Sequence, residues 1–377
     1  MVLEGKQEKK KKEKWFAFDE AQLLYTLAFV VAAVAIGLAG WFAYPYIIGK
    51  TQGSWGEDAM NEGARKEAAC PYRRLLDGAC VESRSEAKPA LVAVMIDNHM
   101  DARPQSGLAE ARVVYEAPVE GNFTRFLAIF AATDDVEKAG PVRSARPYFL
   151  DWVEEYGNLL YLHVGGSPAA LQKVKDERIN DVNEFYNGSV FWRSSDRYAP
   201  FNTYTSSSLW NAEIDKRADD AATSTFAGWA FQEQDECIAT LEVSTDEPGC
   251  ASEIAVTFLP NSFDVRWQYA TSTGRYERFV TDLPHADENG RQITADTVIV
   301  QFVTTTVLDG VGRLGMETVG SGRSIVFARG HVIEGEWKKE SVAGRTQWFD
   351  DGGNQISLQP GKIWIEVVNQ RTSVEWE

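Results

Sequence analysis

An N-terminal α/β ectodomain joined to a mostly β C-terminal domain, preceded by one transmembrane helix, is the fold the sequence predicts. Three observations predict it. A long uncharged segment lies near the start, apolar runs alternate with capped helical stretches in the middle, and short β segments between Gly, Asp and Asn turns fill the end.

Residues 1–20 form a basic tail containing Lys6, Lys9, Lys10, Lys11, Lys12 and Lys14. Residues 21–49 follow without a single charge and include Leu23, Leu27, Val30, Val34, Leu38 and Ile47. About 20 apolar residues of helix cross a bilayer core, so 21–49 is expected to span the membrane. The lysines mark its cytoplasmic end, which puts everything after Lys50 outside. Trp15, Phe16 and Phe18 on one side, with Trp41, Tyr44 and Tyr46 on the other, fit interfacial belts. A cleaved signal peptide would carry an apolar region of about 7–15 residues ending at small side chains. This one is longer and ends in aromatics, and the first cysteine, Cys70, lies too far on for lipoprotein processing.

Residues 50–87, rich in Gly, Glu, Ala and Arg, read as a stalk. The α/β domain is expected over 88–232. Its strands are placed at 91–96, 113–116, 126–131 and 159–163, and its helices at 148–156, 168–174 and 208–217. An acidic linker, 233–252, leads to the mostly β domain, 253–377. Strands are expected there at 254–258, 263–269, 275–279, 297–303, 324–328, 346–349 and 363–368. Gly310, Gly312 and Gly315 match a dinucleotide-binding pattern by letter only. They lie among β segments, without the strand-to-helix setting that such a site needs, and are expected to form a turn.

The chain carries 38 basic and 55 acidic side chains, of which the first 50 residues take seven and five. The remainder is strongly acidic, which argues against a nucleic-acid partner. Four cysteines outside a membrane favour disulfides, and Cys70 with Cys80 and Cys237 with Cys250 is the simplest of three connectivities. Gaps of that length lack the short spacing of zinc sites, so no metal and no cofactor is expected.

Polar residues gather where α/β elements end, the place where open α/β sheets bind ligands. The candidates are Asp97, Asn98, His99 and Arg103; Glu116 and Glu120; Arg125; Arg143, Ser144 and Arg146; His163 and Ser167; and Asp196 with Arg197. Arg143 and Arg146, three apart after Gly140-Pro141, would share one face of a starting helix and could grip phosphate or carboxylate. Internal pairing with Asp97, Glu116 or Glu120 is the other reading. Ser167 is placed to cap a helix begun by Pro168. Asp97, His99 and a serine could be drawn as a hydrolytic triad, but no G-x-S-x-G elbow exists.

At these residues the chain resembles the YerB-like family, bacterial envelope lipoproteins of unknown function. The matching stretches are Val92-Ala93-Val94-Met95-Ile96-Asp97-Asn98-His99, Ala102-Arg103-Pro104-Gln105-Ser106-Gly107-Leu108, Val114-Tyr115-Glu116, Thr124-Arg125-Phe126, 140–146, 163–168 and Ser194-Ser195-Asp196-Arg197. Gly361-Lys362-Ile363-Trp364-Ile365-Glu366 extends the likeness to the end of the chain. The resemblance implies an envelope location and this architecture, and it brings no settled activity. Two features depart from it. A membrane span stands where the family uses a lipidated cysteine, and Phe201 stands where the family pattern has histidine.

The function expected is therefore a membrane-anchored, extracytoplasmic binding protein of the bacterial cell envelope. Its ligand, a cell-wall glycan, a peptide or an envelope protein, would sit in the Arg-rich crevice. The alternative is an enzyme that modifies a wall polymer in the same crevice, similar by analogy to envelope phosphotransferases of the LytR-CpsA-Psr type.

Overall fold

Seven consecutive buried residues, Leu91–Asp97, form the first long strand, β1. A strand with no polar face must lie inside a sheet that is covered on both sides. The computed structural model, which describes residues 70–217, 226–231, 250–258 and 263–377, places it so. The basic tail, the expected span at 21–49 and most of the expected linker lie outside the described residues. Among the described residues no helix is long and apolar enough to cross a membrane.

The N-terminal part supplies β1, β2 (Val113–Pro118), β3 (Thr124–Ala131), β4 (Leu160–His163) and β5 (Asp181–Asn183). Its helices are α1 (Pro147–Glu154), α2 (Pro168–Asp176) and α3 (Ser207–Lys216). The C-terminal part is mostly β, with β6 (Glu253–Thr257), β7 (Asp264–Ala270), β8 (Arg275–Val280), β9 (Thr297–Val303), β10 (Gly320–Ala328), β11 (His331–Lys339), β12 (Gln347–Asp350), β13 (Ile363–Asn369) and β14 (Ser373–Trp376). The α/β and mostly β characters are thus as expected.

The two parts share one sheet. Ten strands run in the order β12-β11-β10-β9-β13-β2-β3-β1-β4-β5. The seam is β13 against β2, a parallel pairing with Ile365 opposite Tyr115 and Glu366 opposite Glu116. The alternation along β1 shows how the faces are used. Val92, Val94 and Ile96 pack into a core with Trp210 of α3 and with Ile254, Val256 and Trp267 of a second sheet, built on β6, β7, β8 and β14. Leu91, Ala93 and Met95 pack on the opposite face with Phe149 and Trp152 of α1 and Ala170 and Val174 of α2. Each fully buried aliphatic or aromatic side chain contributes ~1.5–3 kcal/mol, so covering both faces is what makes an all-apolar strand stable.

α2 starts where the sequence places its cap: Pro168 opens it, and Ser167 Oγ accepts from the Ala170 amide at 3.3 Å. Pro147 likewise occupies the first turn of α1. Three of these strands, the short β5, β11 and β14, were not expected. β11 contains Gly335, Lys338 and Lys339 and has little apolar alternation, yet it pairs along its whole length with β10. β14 is half-exposed and pairs with β6. Residues 70–87, expected as stalk, fold onto the sheet: Leu76 is buried in the α1 face, and the Asp77 carbonyl accepts from the Gly361 amide at 2.8 Å. Cys70 and Cys80 form the expected disulfide. Cys250 is also disulfide-bonded, and its expected partner, Cys237, lies outside the described residues. The Gly310–Gly315 pattern closes the turn between the short strands Thr305–Val307 and Leu314–Met316.

Candidate functional site

The sequence candidates separate into two groups, one under the seam and one at the rim. The seam group begins with two carboxylates that the parallel register sets side by side, Glu116 of β2 and Glu366 of β13, both fully buried. Like charges so placed repel, and Arg278 of β8 answers them. It forms an ion pair with Glu116, its Nε lies 3.9 Å from Glu366, and the Trp267 indole donates to Glu366 at 2.9 Å. Burial and the neighbouring Glu116 push the Glu366 carboxyl well above the usual range. Arg278 also donates to His285 Nδ1, so the neutral ring carries its hydrogen on Nε2 and donates to Gln105 Oε1 at 2.9 Å.

The chain of bonds continues into the loop after β1. Gln105 donates to Asn98 Oδ1 at 3.0 Å, and Asn98 donates to Glu116 at 3.0 Å and to Thr124 at 2.7 Å. Arg103 Nε donates to Asn98 Oδ1 at 3.0 Å, and burial with Arg278 nearby lowers its guanidinium to about 10. Asn98, Arg103 and Glu116 therefore belong to a buried network that fastens the two parts together. This corrects the expectation that they face a crevice. Arg278, His285 and Glu366 were missed. The available signal was a charged residue amid an otherwise apolar run, as at Glu366 in β13.

The rim group stands where β1 and β3 end. Asp97, 3% exposed, is opposite Arg125 in the antiparallel register and accepts from Arg143 Nε at 2.7 Å. Arg125, 6% exposed, donates to the Ser144 carbonyl at 2.7 Å, while its Nε has no hydrogen-bond partner. Burial lowers Arg125 to about 10 against the pull of Asp97, and Arg146 and Arg143 push the same way as burial. Arg146 grips Glu120 through Nε at 2.8 Å to both oxygens. Burial alone would raise that carboxyl, but these bonds hold it below the ordinary range. Arg143 and Arg146 do not share a helical face as expected, because α1 begins at Pro147 and leaves both in the approach loop.

Gly140 explains how that loop reaches the site. Its φ of +146° suits glycine, and a Cβ there would come within 2.8 Å of the Thr203 carbonyl. It exchanges two backbone hydrogen bonds with Ser106 at 2.9 and 3.0 Å, and two residues later the Val142 amide reaches the Thr203 carbonyl. His99 borders the rim, stacked on Phe201 at 4.9 Å and tilted against Phe123 at 4.6 Å, and Arg143 lies over the Phe201 ring at 5.4 Å. Phe201 thus fills with apolar packing a position where an imidazole would have added a polar group. Arg197 donates to the carbonyls of Asp101 and Pro104 at 3.3 and 2.6 Å and has no carboxylate partner among the described residues.

Three candidates lie apart from both groups. His163 is fully buried between the Asp181 carboxylate at 3.0 Å and the Gly165 carbonyl at 2.7 Å, so it joins β4 to β5 and the loop beyond. Ser167 is occupied by its capping bond. Asp196 accepts from the Ser194 hydroxyl at 2.9 Å within its own turn. Among the described residues no three His, Cys, Asp or Glu side chains are grouped to hold a metal ion.

At the rim, three guanidinium groups face two carboxylates, and the deepest of them keeps an unfilled donor. This positive island sits in a chain of net charge −17. Its chemistry is attraction for an anion that offers oxygen acceptors.

Comparison with known proteins follows the same division. Residues 76–224 match the N-terminal domain, and residues 254–365 the C-terminal domain, of a family described as protein of unknown function DUF3048. A Bacillus subtilis (strain 168) protein named "Putative lipoprotein YerB" is 31% identical over 318 residues, covering 83% of this chain and 89% of that one. The crystal structure of YerB from Bacillus subtilis matches with a TM-score of 0.69 at 28% identity, covering 80% of this chain and 99% of its own.

Proposed function

Since this chain belongs to the YerB-like DUF3048 family, we propose that it is a membrane-anchored protein of the bacterial cell envelope whose ectodomain binds an anionic ligand at the Arg125–Arg143–Arg146 rim. The anchor is residues 21–49 as a single span, with the lysine-rich end in the cytoplasm and the folded unit outside. A relative named as a lipoprotein supports a membrane tether. The two chains would then reach the same surface by different means.

The observation that carries the binding site is the imbalance at the rim. Arg125 Nε is buried without a hydrogen-bond partner; Arg278 Nε is too, but that side chain has two carboxylates beside it, whereas Arg125 has none to itself. Asp97 is already bonded to Arg143 and Glu120 to Arg146, so no carboxylate is left over for Arg125. A phosphate or carboxylate on a wall glycan, a peptide or an envelope protein would meet that need. The enzymatic alternative gains nothing from the geometry, because Asp97 and Glu116, the carboxylates that could serve it as a base, are held in ion pairs.

The test is a binding screen of residues 70–377, which form one compact unit, against wall fragments and polyprenyl phosphates. Expected is binding that weakens with added salt and falls about tenfold or more in Arg143→Ala, the size of a lost charge-assisted hydrogen bond. Equal binding by that variant would remove the rim as the site.

A further inference from the structure

A second recessed site lies where the loop after β1 meets the turn after β8. It is a cleft of about 400 Å³ lined by Ser106, Glu110, Glu137, Lys138, Asp287 and Glu288, together with Gly107, Asp135 and Asn289. Its walls come from both parts of the chain. Ser106 and Lys138 on one side bond Glu288 on the other, at 2.9 and 2.5 Å.

An acidic lining alone would signify only a solvated surface, but two carboxylate oxygens here are sealed from water and unmatched. Asp287 is 2% exposed; its Oδ2 accepts from the Ala109 amide at 2.7 Å, while its Oδ1 has no hydrogen-bond partner. Glu110 gives Oε1 to Arg291 at 2.5 Å, and its Oε2 is likewise buried without a partner. Burial, with Glu110 beside it, raises the Asp287 carboxyl to about 7. Lys362 stands behind the cleft, its ammonium donating to the Leu108 carbonyl, so it attracts both acids through space without filling either open acceptor. Lys138 is engaged by Glu288 and Arg291 by Glu110. The cleft therefore keeps an excess of negative charge and two waiting acceptors.

We propose that this cleft binds the primary ammonium group of an organic amine, with Asp287 Oδ1 and Glu110 Oε2 accepting its hydrogens. A bare metal ion is the poorer occupant, because the described residues hold no group of three or more carboxylate, His or Cys ligands placed around one point. An ammonium needs only two acceptors and a pocket for its stem, and the volume accommodates a lysine-sized side chain.

The experiment titrates the full-length protein with Nα-acetyl-lysine methylamide by calorimetry, and in parallel with the Nε-acetylated compound and with calcium. Expected is saturable binding of the free amine alone, weakened about tenfold or more in Asp287→Asn and in Glu110→Gln. Asparagine keeps an acceptor for the Ala109 amide. Glu137→Gln, at an exposed position of the lining, supplies a variant that leaves the fold untouched and reads the weaker electrostatic contribution. Absence of saturable amine binding, equal binding by the Asp287 and Glu110 variants, or preference for calcium would each overturn the proposal.

Discussion

Arg278 and Arg125 are both almost wholly buried, at 0% and 6% exposed, yet they stand in opposite electrostatic situations. Arg278 lies between two carboxylates and a neutral imidazole, under the aromatic faces of Trp364, Trp267 and Phe126. Arg125 has one carboxylate opposite it, and that one is bonded to Arg143. The first arginine also has an Nε without a hydrogen bond, but two carboxylates flank it, and it holds two halves of a protein together. The second is undersupplied. Burial by itself therefore does not separate a structural arginine from a binding one; the balance of partners does.

The sharpest way to break this contrast is Arg278→Met. Removing one member of a buried ion pair leaves Glu116 and Glu366 uncompensated, and the expected loss is about 3–5 kcal/mol in urea denaturation. Adding Glu116→Gln to that variant should restore part of the loss. A single variant as stable as the wild type would show that the seam does not depend on the pair.

Next in size is a pH effect at the same place. Burial, then the nearby Arg278, hold His285 well below its ordinary 6.5. A histidine depressed in the folded state contributes its stability in full above the unfolded value, and that contribution is lost as pH falls below about 6.5, by up to ~1.4 kcal/mol per pH unit. Glu366, raised in the folded state, titrates in the opposite sense, so the histidine is isolated by difference. Between about pH 7.5 and 5.5 the wild type should lose roughly 1 kcal/mol more than His285→Gln. Parallel curves would mean that the ring protonates without penalty.

The smallest expected effect is at the rim. Arg125→Met removes the bond to the Ser144 carbonyl, but with it an unpaired Nε and a charge that Arg143 and Arg146 oppose, so stability should change by no more than about 1 kcal/mol. Thermal melting at fixed pH decides it. A loss as large as that of Arg278→Met would make Arg125 a structural residue too.

How much could be read beforehand follows from sequence separation. β1 and α2 were legible because their signals are local: an apolar run ending in Asp97, and Ser167 with Pro168 opening a helix. The rim was legible for the same reason, since its residues end neighbouring elements. Glu116 was misplaced because its partner, Arg278, stands 162 positions away, and no local pattern encodes that pairing. β11 escaped because Gly335 and the lysines interrupt its alternation, and its place is set by nine register pairs with β10. The strand at 363–369 was visible as an apolar run, but nothing within it tells that its neighbour is β2.

That last pairing has a consequence in time. β13 lies between β9 and β2, in the middle of the ten-stranded sheet, yet it is made after every other strand in that sheet. While the ribosome works, β1 to β5 have a missing neighbour, and the edge of β2 waits for a partner roughly 250 residues downstream. The ten-stranded sheet can close only after synthesis has passed Asn369, so the pairing of β2 waits until β13 has been made. Separating the halves at the 233–252 segment would leave each with an open β edge and no route to the native sheet.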